Sequence, residues 1–130
     1  MYDLIVAGGG TSGISTAISA AKQGLKVLVI EKNTYLGGSM TGALVVPMMK
    51  NLLKNGKSLS GEFVEELMTE MRKTSDALTY SDNNIGWFNP DIMKCILDDL
   101  FQKYNIEVFF DTVVTNANIS DNKIQNIEIT

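Results

Sequence analysis

The chain of 130 residues reads as an α/β fold built on a parallel sheet. Three features predict it: a compact apolar run ending in three glycines, a helix of small residues stopping at Gly24, and a second β-branched run closing on Glu31. A strand, a crossover helix and a parallel strand of these lengths obey the right-handed βαβ rule. That is the opening of a Rossmann-like nucleotide fold.

Tyr2 to Ala7, with Leu4, Ile5 and Val6, predicts a buried parallel strand. From Thr11 to Gln23 the residues Ile14, Ala17, Ile18 and Ala21 are spaced for one helical face, and Gly24 is the stop. Lys26 to Ile30 is the second strand. Beyond Glu31 comes a loop with Gly37 and Gly38, and Ser39 to Met49 has no clear period and reads as irregular. Asn55, Gly56 and Lys57 mark a turn, after which Ser60 caps a helix that turns Phe63, Val64, Leu67, Met68 and Met71 inward. Thr74 to Asn84 is polar and reads as a surface loop. Asn89 as cap and Pro90 at the first helical position start another helix, which carries Ile92, Met93, Ile96, Leu97, Leu100 and Phe101 to the core and ends near Tyr104.

Ile106 to Phe110, Val113 to Ile119 and Ile124 to Ile129 are three further strands, read as a terminal β-meander whose last turn is at Asp121 and Asn122. The chain stops on a strand, so the expectation is a truncated domain: residues 1–130 as the N-terminal part, with a substrate domain absent. The open edge near Ile127 and Ile129 would invite association between copies.

Composition narrows the chemistry. With 45% hydrophobic and 20% charged residues the chain can bury a core. Having no histidine, it cannot contain a Ser-His-Asp triad, a histidine zinc site or a histidine base. The single cysteine, Cys95, removes internal disulfides and cysteine clusters, so no metal site is read. A formal charge of -4 recruits no nucleic acid. No signal peptide or membrane span is visible, and the expected compartment is the cytoplasm, where Cys95 stays reduced. Cys95 itself lies on an inward-pointing helix and reads as buried packing. The methionines read as core filler, Trp87 and Phe88 as either an aromatic staple at a helix entrance or a stack on a ligand, and Asp98 and Asp99 as solvated surface.

Chemistry resides in Gly8, Gly10 and Gly13, a G-x-G-x-x-G directly between strand and helix. Gly8 permits the tight turn, Gly10 lets backbone approach a pyrophosphate, and Gly13 lets the helix pack on the sheet. The helix N-terminus beyond holds the anion. Glu31 closes the second strand where an acid accepts hydrogen bonds from a ribose, and its charge argues against a 2′-phosphate and hence NADP. Its role is read as recognition, with little part in folding. These glycines alone do not separate NAD from FAD.

The run DLIVAGGGTSG, followed by AISAAKQGLKVLVIEKNTYLGGSMTGALVVP, resembles the N-terminus of FAD-dependent oxidoreductases of the glutathione-reductase-like superfamily. It is similar, more narrowly, to the bacterial FAD-dependent oxidoreductase family, in which a second glycine doublet (here Gly37 and Gly38) precedes a short segment to a proline (Pro47) and later an F-x-P helix start (Phe88, Asn89, Pro90). The resemblance implies FAD rather than NAD. It implies that Gly8, Gly10, Thr11, Ser12 and Gly13 line the pyrophosphate, that Glu31 and Lys32 flank the adenosine ribose, that Gly38, Ser39 and Thr41 approach the ribityl chain or flavin, and that the backbone of Val114 meets adenine. Family members continue into an A-T-G-D-like segment and a substrate domain, neither of which lies in this sequence.

The implied function is the FAD-binding portion of a flavin-dependent oxidoreductase acting on an unidentified small molecule. Hydride or electron transfer belongs to the flavin, so no catalytic side chain is named, and the isolated chain is expected to be inactive. The alternatives are an NAD-binding dehydrogenase domain, which the Gly37–Gly38 doublet disfavours, and a non-catalytic fragment that keeps the fold without cofactor.

Overall fold

The computed structural model describes residues 1–49, 61–81 and 85–130. The turn at Asn55 to Lys57 and the cap at Ser60 lie outside those residues. Among the described residues the order is β1 (Leu4–Ala7), α1 (Thr11–Lys22), β2 (Val27–Ile30), a 3₁₀ turn (Gly38–Met40), β3 (Pro47–Met49), α2 (Gly61–Lys73), β4 (Leu78–Ser81), β5 (Ile85–Phe88), α3 (Pro90–Lys103), β6 (Glu107–Phe109), β7 (Val114–Ser120) and β8 (Lys123–Ile129).

β1, β2 and β6 form a parallel sheet in that order, with Leu4 opposite Val27 and Val29 opposite Val108. Side chains alternate between the faces of a strand, so Leu4, Val6, Val27, Val29 and Val108 share one face. All five belong to the hydrophobic core or pack against it, together with Ile14, Ala17 and Ile18 of α1, Phe63, Leu67 and Met71 of α2, and Met93, Leu97, Leu100 and Phe101 of α3. The 3.6-residue period therefore reported the right helical faces.

Helix ends follow local chemistry. Asn89 accepts from the backbone N–H of Asp91 (2.9 Å) and of Ile92 (3.3 Å), and Pro90 opens α3. At the other end Asn105 takes a positive φ of 52°, with Ile106 N–H bonded to the Phe101 carbonyl (2.9 Å), a Schellman stop. Gly24 ends α1 in the same way at φ 84°.

Three expectations need correction. Pro47 to Met49, Leu78 to Ser81 and Ile85 to Phe88, read as irregular chain, surface loop and helix entrance, instead pair as a second, antiparallel sheet in the order β3-β5-β4. Strands this short carry too few residues for a period-2 signal, and the Pro47–Trp87 pairing joins distant parts of the sequence. The last three strands are not one meander, because β6 joins β2 while β7 and β8 form a separate hairpin. Its turn residues Asp121 and Asn122 both have positive φ (52° and 58°), the geometry of a two-residue type I′ loop. Cys95 is exposed rather than buried, since the inward stripe of α3 passes through Ile96 and Leu97 on either side of its direction.

Glu66 on α2 joins the three helices. Its Oε2 lies 2.6 Å from Lys22 Nζ of α1, and its Oε1 lies 2.6 Å from both Lys103 Nζ and the Tyr104 hydroxyl at the end of α3. Burial pushes this carboxyl up, but hydrogen bonds from Lys103, Lys22 and Tyr104 outweigh it and bring the pKa down to about 2, from 4.5. A folded-state pKa below the unfolded one contributes stability that is present above pH 4.5 and is lost as pH falls through about 2. Lys103 is half exposed, so screening limits the gain. Glu66→Gln should therefore destabilise the chain by about 1 kcal/mol at pH 7, and its urea midpoint should converge with that of the parent as pH is lowered toward 2. A difference independent of pH would assign Glu66 a packing role instead.

Candidate functional site

The carboxyl ends of β1 and β2 place Gly8 and Glu31 side by side, and Gly8 N–H bonds the Ile30 carbonyl at 2.7 Å. Open α/β sheets bind ligands at this end of their strands. Gly8 turns the chain at φ 108°, a conformation side chains resist, and a Cβ on Gly13 would collide with the Gly8 carbonyl oxygen. The turn is thus pressed directly against the first turn of α1. Gly10 differs: it has an ordinary φ of -75°, and a Cβ built on it meets nothing within 4 Å. Space is open in front of α1.

That helix starts without a capping side chain and has no acidic residue in its first turn. The first N–H groups of a helix have no partner within it, and its dipole is positive there. An uncapped start facing open space suits a pyrophosphate, so the residues present fit a dinucleotide.

Glu31 is buried, with 4% of its surface exposed. Its Oε2 accepts the Gly9 N–H at 2.6 Å, and its Oε1 accepts both the backbone N–H (2.8 Å) and the side-chain amide (2.7 Å) of Asn33. The Gly9 carbonyl in turn accepts from Gly37 N–H at 2.9 Å. Glu31 backbone groups bond Phe109 O and Thr112 N at the end of β6. Glu31 ties the glycine turn to its surroundings, so its replacement will cost folding, against the expectation of little part in folding.

The second doublet lies against the first. A Cβ on Gly38 would come within 2.9 Å of the Gly10 Cα, and Ser39 Oγ is 3.3 Å from Thr11 Oγ1. Gly10, Thr11, Gly38 and Ser39 therefore come together at one mouth, with Ser12 exposed beside them. Thr41 does not join them: it is 1% exposed and donates its hydroxyl to the Leu36 carbonyl at 2.6 Å. Lys32 is exposed just past Glu31. Val113 and Thr130 exchange both backbone hydrogen bonds (2.8 and 3.0 Å), so at the next pair, Val114 and Ile129, the N–H and C=O of Val114 point away from β8.

Two residues of this network were missed by sequence reasoning. Gly9 is not one of the three motif glycines, yet a Cβ there would meet Leu36 Cδ2 at 2.6 Å and Glu31 Oε2 at 3.2 Å. Three glycines in a row were the available signal. Asn33 carried no comparable signal, because its amide donates to the Glu31 side chain rather than to backbone.

A scan of known families matches residues 3–130 to the family described as FAD dependent oxidoreductase. Among curated proteins, glutathione reductase of Schizosaccharomyces pombe is 31% identical over 94 residues, covering 72% of this chain and 18% of the relative. The 3-oxosteroid 1-dehydrogenase of Mycolicibacterium smegmatis is 34% identical over 80 residues, covering 59% and 13%. The chain thus spans a minor share of the relatives it matches. Among solved structures, Thermovibrio ammonificans THI4 superposes with a TM-score of 0.65 at 15% identity, covering 99% of this chain and 47% of that one. Glycine oxidase from Bacillus cereus gives 0.62 at 14% identity, covering 100% and 52%. Those two likenesses establish the fold.

The glycine geometry makes a paired prediction. Gly13→Ala should destabilise the chain by about 2 kcal/mol or more, because the clash is with backbone that cannot swing aside. Gly10→Ala should leave the melting temperature within about 2 °C of the parent. Equal losses at both positions would mean that the space before α1 is not open.

Proposed function

The chain belongs to the family of FAD dependent oxidoreductases, and from that premise we propose that it forms the N-terminal part of the FAD-binding domain of a flavoenzyme. The observation that carries this reading is the open, uncapped start of α1 at Gly10, set between the Gly8 turn and the Gly38–Ser39 loop. In this reading the N–H groups of Thr11, Ser12 and Gly13 bind the pyrophosphate, and Gly10 leaves room for it. Glu31 accepts the adenosine ribose, with Lys32 at its rim. The outward backbone of Val114 meets adenine. Gly37 and Gly38 bring Ser39 toward the ribityl chain, and Thr41 acts from beneath by holding the Leu36 carbonyl. Bound FAD supplies hydride or electron transfer at its isoalloxazine ring, and the protein orients it.

The substrate domain lies outside residues 1–130 in this proposal, in keeping with the share of its relatives that the chain spans. The substrate is a small molecule whose class these residues leave open. We place the protein in the cytoplasm, where a lone exposed thiol such as Cys95 stays reduced. Among the described residues no helix is long and apolar enough to cross a membrane. Copies of the chain would associate through the hairpin edge near Ile127 and Ile129, the latter 44% exposed.

The test is cofactor content. Full-length protein should copurify with FAD, identified by absorbance and by extraction. Gly10→Val should lose the flavin while keeping its melting temperature within about 2 °C of the parent stripped of FAD, because the added side chain fills the ligand's space and not the core. Stoichiometric FAD in the Gly10→Val protein would overturn the assignment.

A further inference from the structure

Glu31 is held more tightly than recognition of a ribose requires. An ionised carboxylate offers about four acceptor directions. Here three are taken by the chain itself: Gly9 N–H on Oε2 at 2.6 Å, and the backbone and side-chain N–H groups of Asn33 on Oε1 at 2.8 and 2.7 Å. Two of these donors are backbone and come with the fold. The third, the Asn33 amide, is a side chain, and neither the G-x-G-x-x-G motif nor the acid at the end of β2 calls for it. Asn33 is itself anchored, because its carbonyl accepts from Asp111 N–H at 3.3 Å beyond β6.

We infer that Asn33 is a positioning residue for ribose recognition: its amide saturates Oε1 of the Glu31 carboxylate and so leaves one acceptor direction, on Oε2, open for a hydroxyl of the adenosine. The inference rests on the reading of Glu31 as the ribose acceptor. The backbone donors of Gly9 and Asn33 hold one direction on each oxygen, and the Asn33 amide takes the second direction on Oε1, so the remaining one lies on Oε2. With Oε1 saturated, the carboxylate presents a single fixed lone pair to the ligand, which is how preorganisation raises affinity. Selectivity for the ribose follows from the same arrangement. A nucleotide lacking its hydroxyls leaves that direction of a buried carboxylate unmatched, which binding penalises.

The experiment compares ADP with 2′,3′-dideoxy-ADP by calorimetry on full-length protein stripped of its cofactor. The parent should prefer ADP by about tenfold. Asn33→Ala keeps both backbone donors and should reduce that preference to about twofold, with dideoxy-ADP affinity nearly unchanged. A merely structural role would weaken both ligands together. Asn33→Asp provides a second arm: opposed carboxylates should abolish the preference at pH 7, and lowering the pH to about 5 should restore part of it as the new acid protonates and donates to Glu31. If the parent prefers ADP and Asn33→Ala retains the full preference, the positioning role is wrong and Glu31 stands alone. If the parent shows no preference, the ribose assignment of Glu31 fails, and the role of Asn33 with it.

Discussion

A carboxylate with 4% of its surface exposed must find donors inside the protein, and the way Glu31 finds them shapes the region around it. One oxygen draws the Gly9 N–H to 2.6 Å, which sets the direction in which the glycine turn leaves β1. The other holds Asn33 and so bends the chain away from β2. Gly9 then passes the constraint on through its carbonyl to Gly37, and the second glycine doublet is drawn over the first. The mouth formed by Gly10, Thr11, Gly38 and Ser39 is a consequence of that buried charge.

The same mouth depends on α1 staying where it is. Packing at Gly13 fixes the near end of the helix against the turn, since only a residue without a side chain fits over the Gly8 carbonyl. The far end is held through Lys22, which shares Glu66 with Lys103 and Tyr104. Between them, Ile14, Ala17 and Ile18 are fully buried against the sheet and α2. Burying a large aliphatic side chain is worth about 1.5 to 3 kcal/mol, so apolar packing holds the helix down while the polar contacts decide its placement.

Burial in the parallel sheet follows the strand more than the face: in central β2, Val27 and Val29 toward α1 are 1% and 0% exposed, and Leu28 and Ile30 on the other side are 4% and 2%. In the flanking strands Ile5 and Phe109 are 37% and 39% exposed, and the hairpin of β7 and β8 shows Ile119 and Ile124 at 66% and 67%. Parallel sheets are ordinarily covered on both sides.

Much of this was legible in the residues themselves. The βαβ opening, the helix stop at Gly24, the cap at Asn89, the hairpin turn at Asp121 and Asn122 and the inward stripes of α2 and α3 all rest on interactions between neighbours in sequence, so periodicity and local hydrogen bonding report them. The glycine motif and Glu31 were readable for the same reason, as each occupies a set place relative to a strand end. What tertiary structure alone decided was the partnership of distant segments: Pro47 with Trp87, β6 with β2 instead of β7, and Glu66 with lysines from two other helices. It also turned Thr41 inward and Cys95 outward. Short strands and single side chains carry no repeating pattern, and their positions follow from which surfaces meet once the helices and sheet have packed.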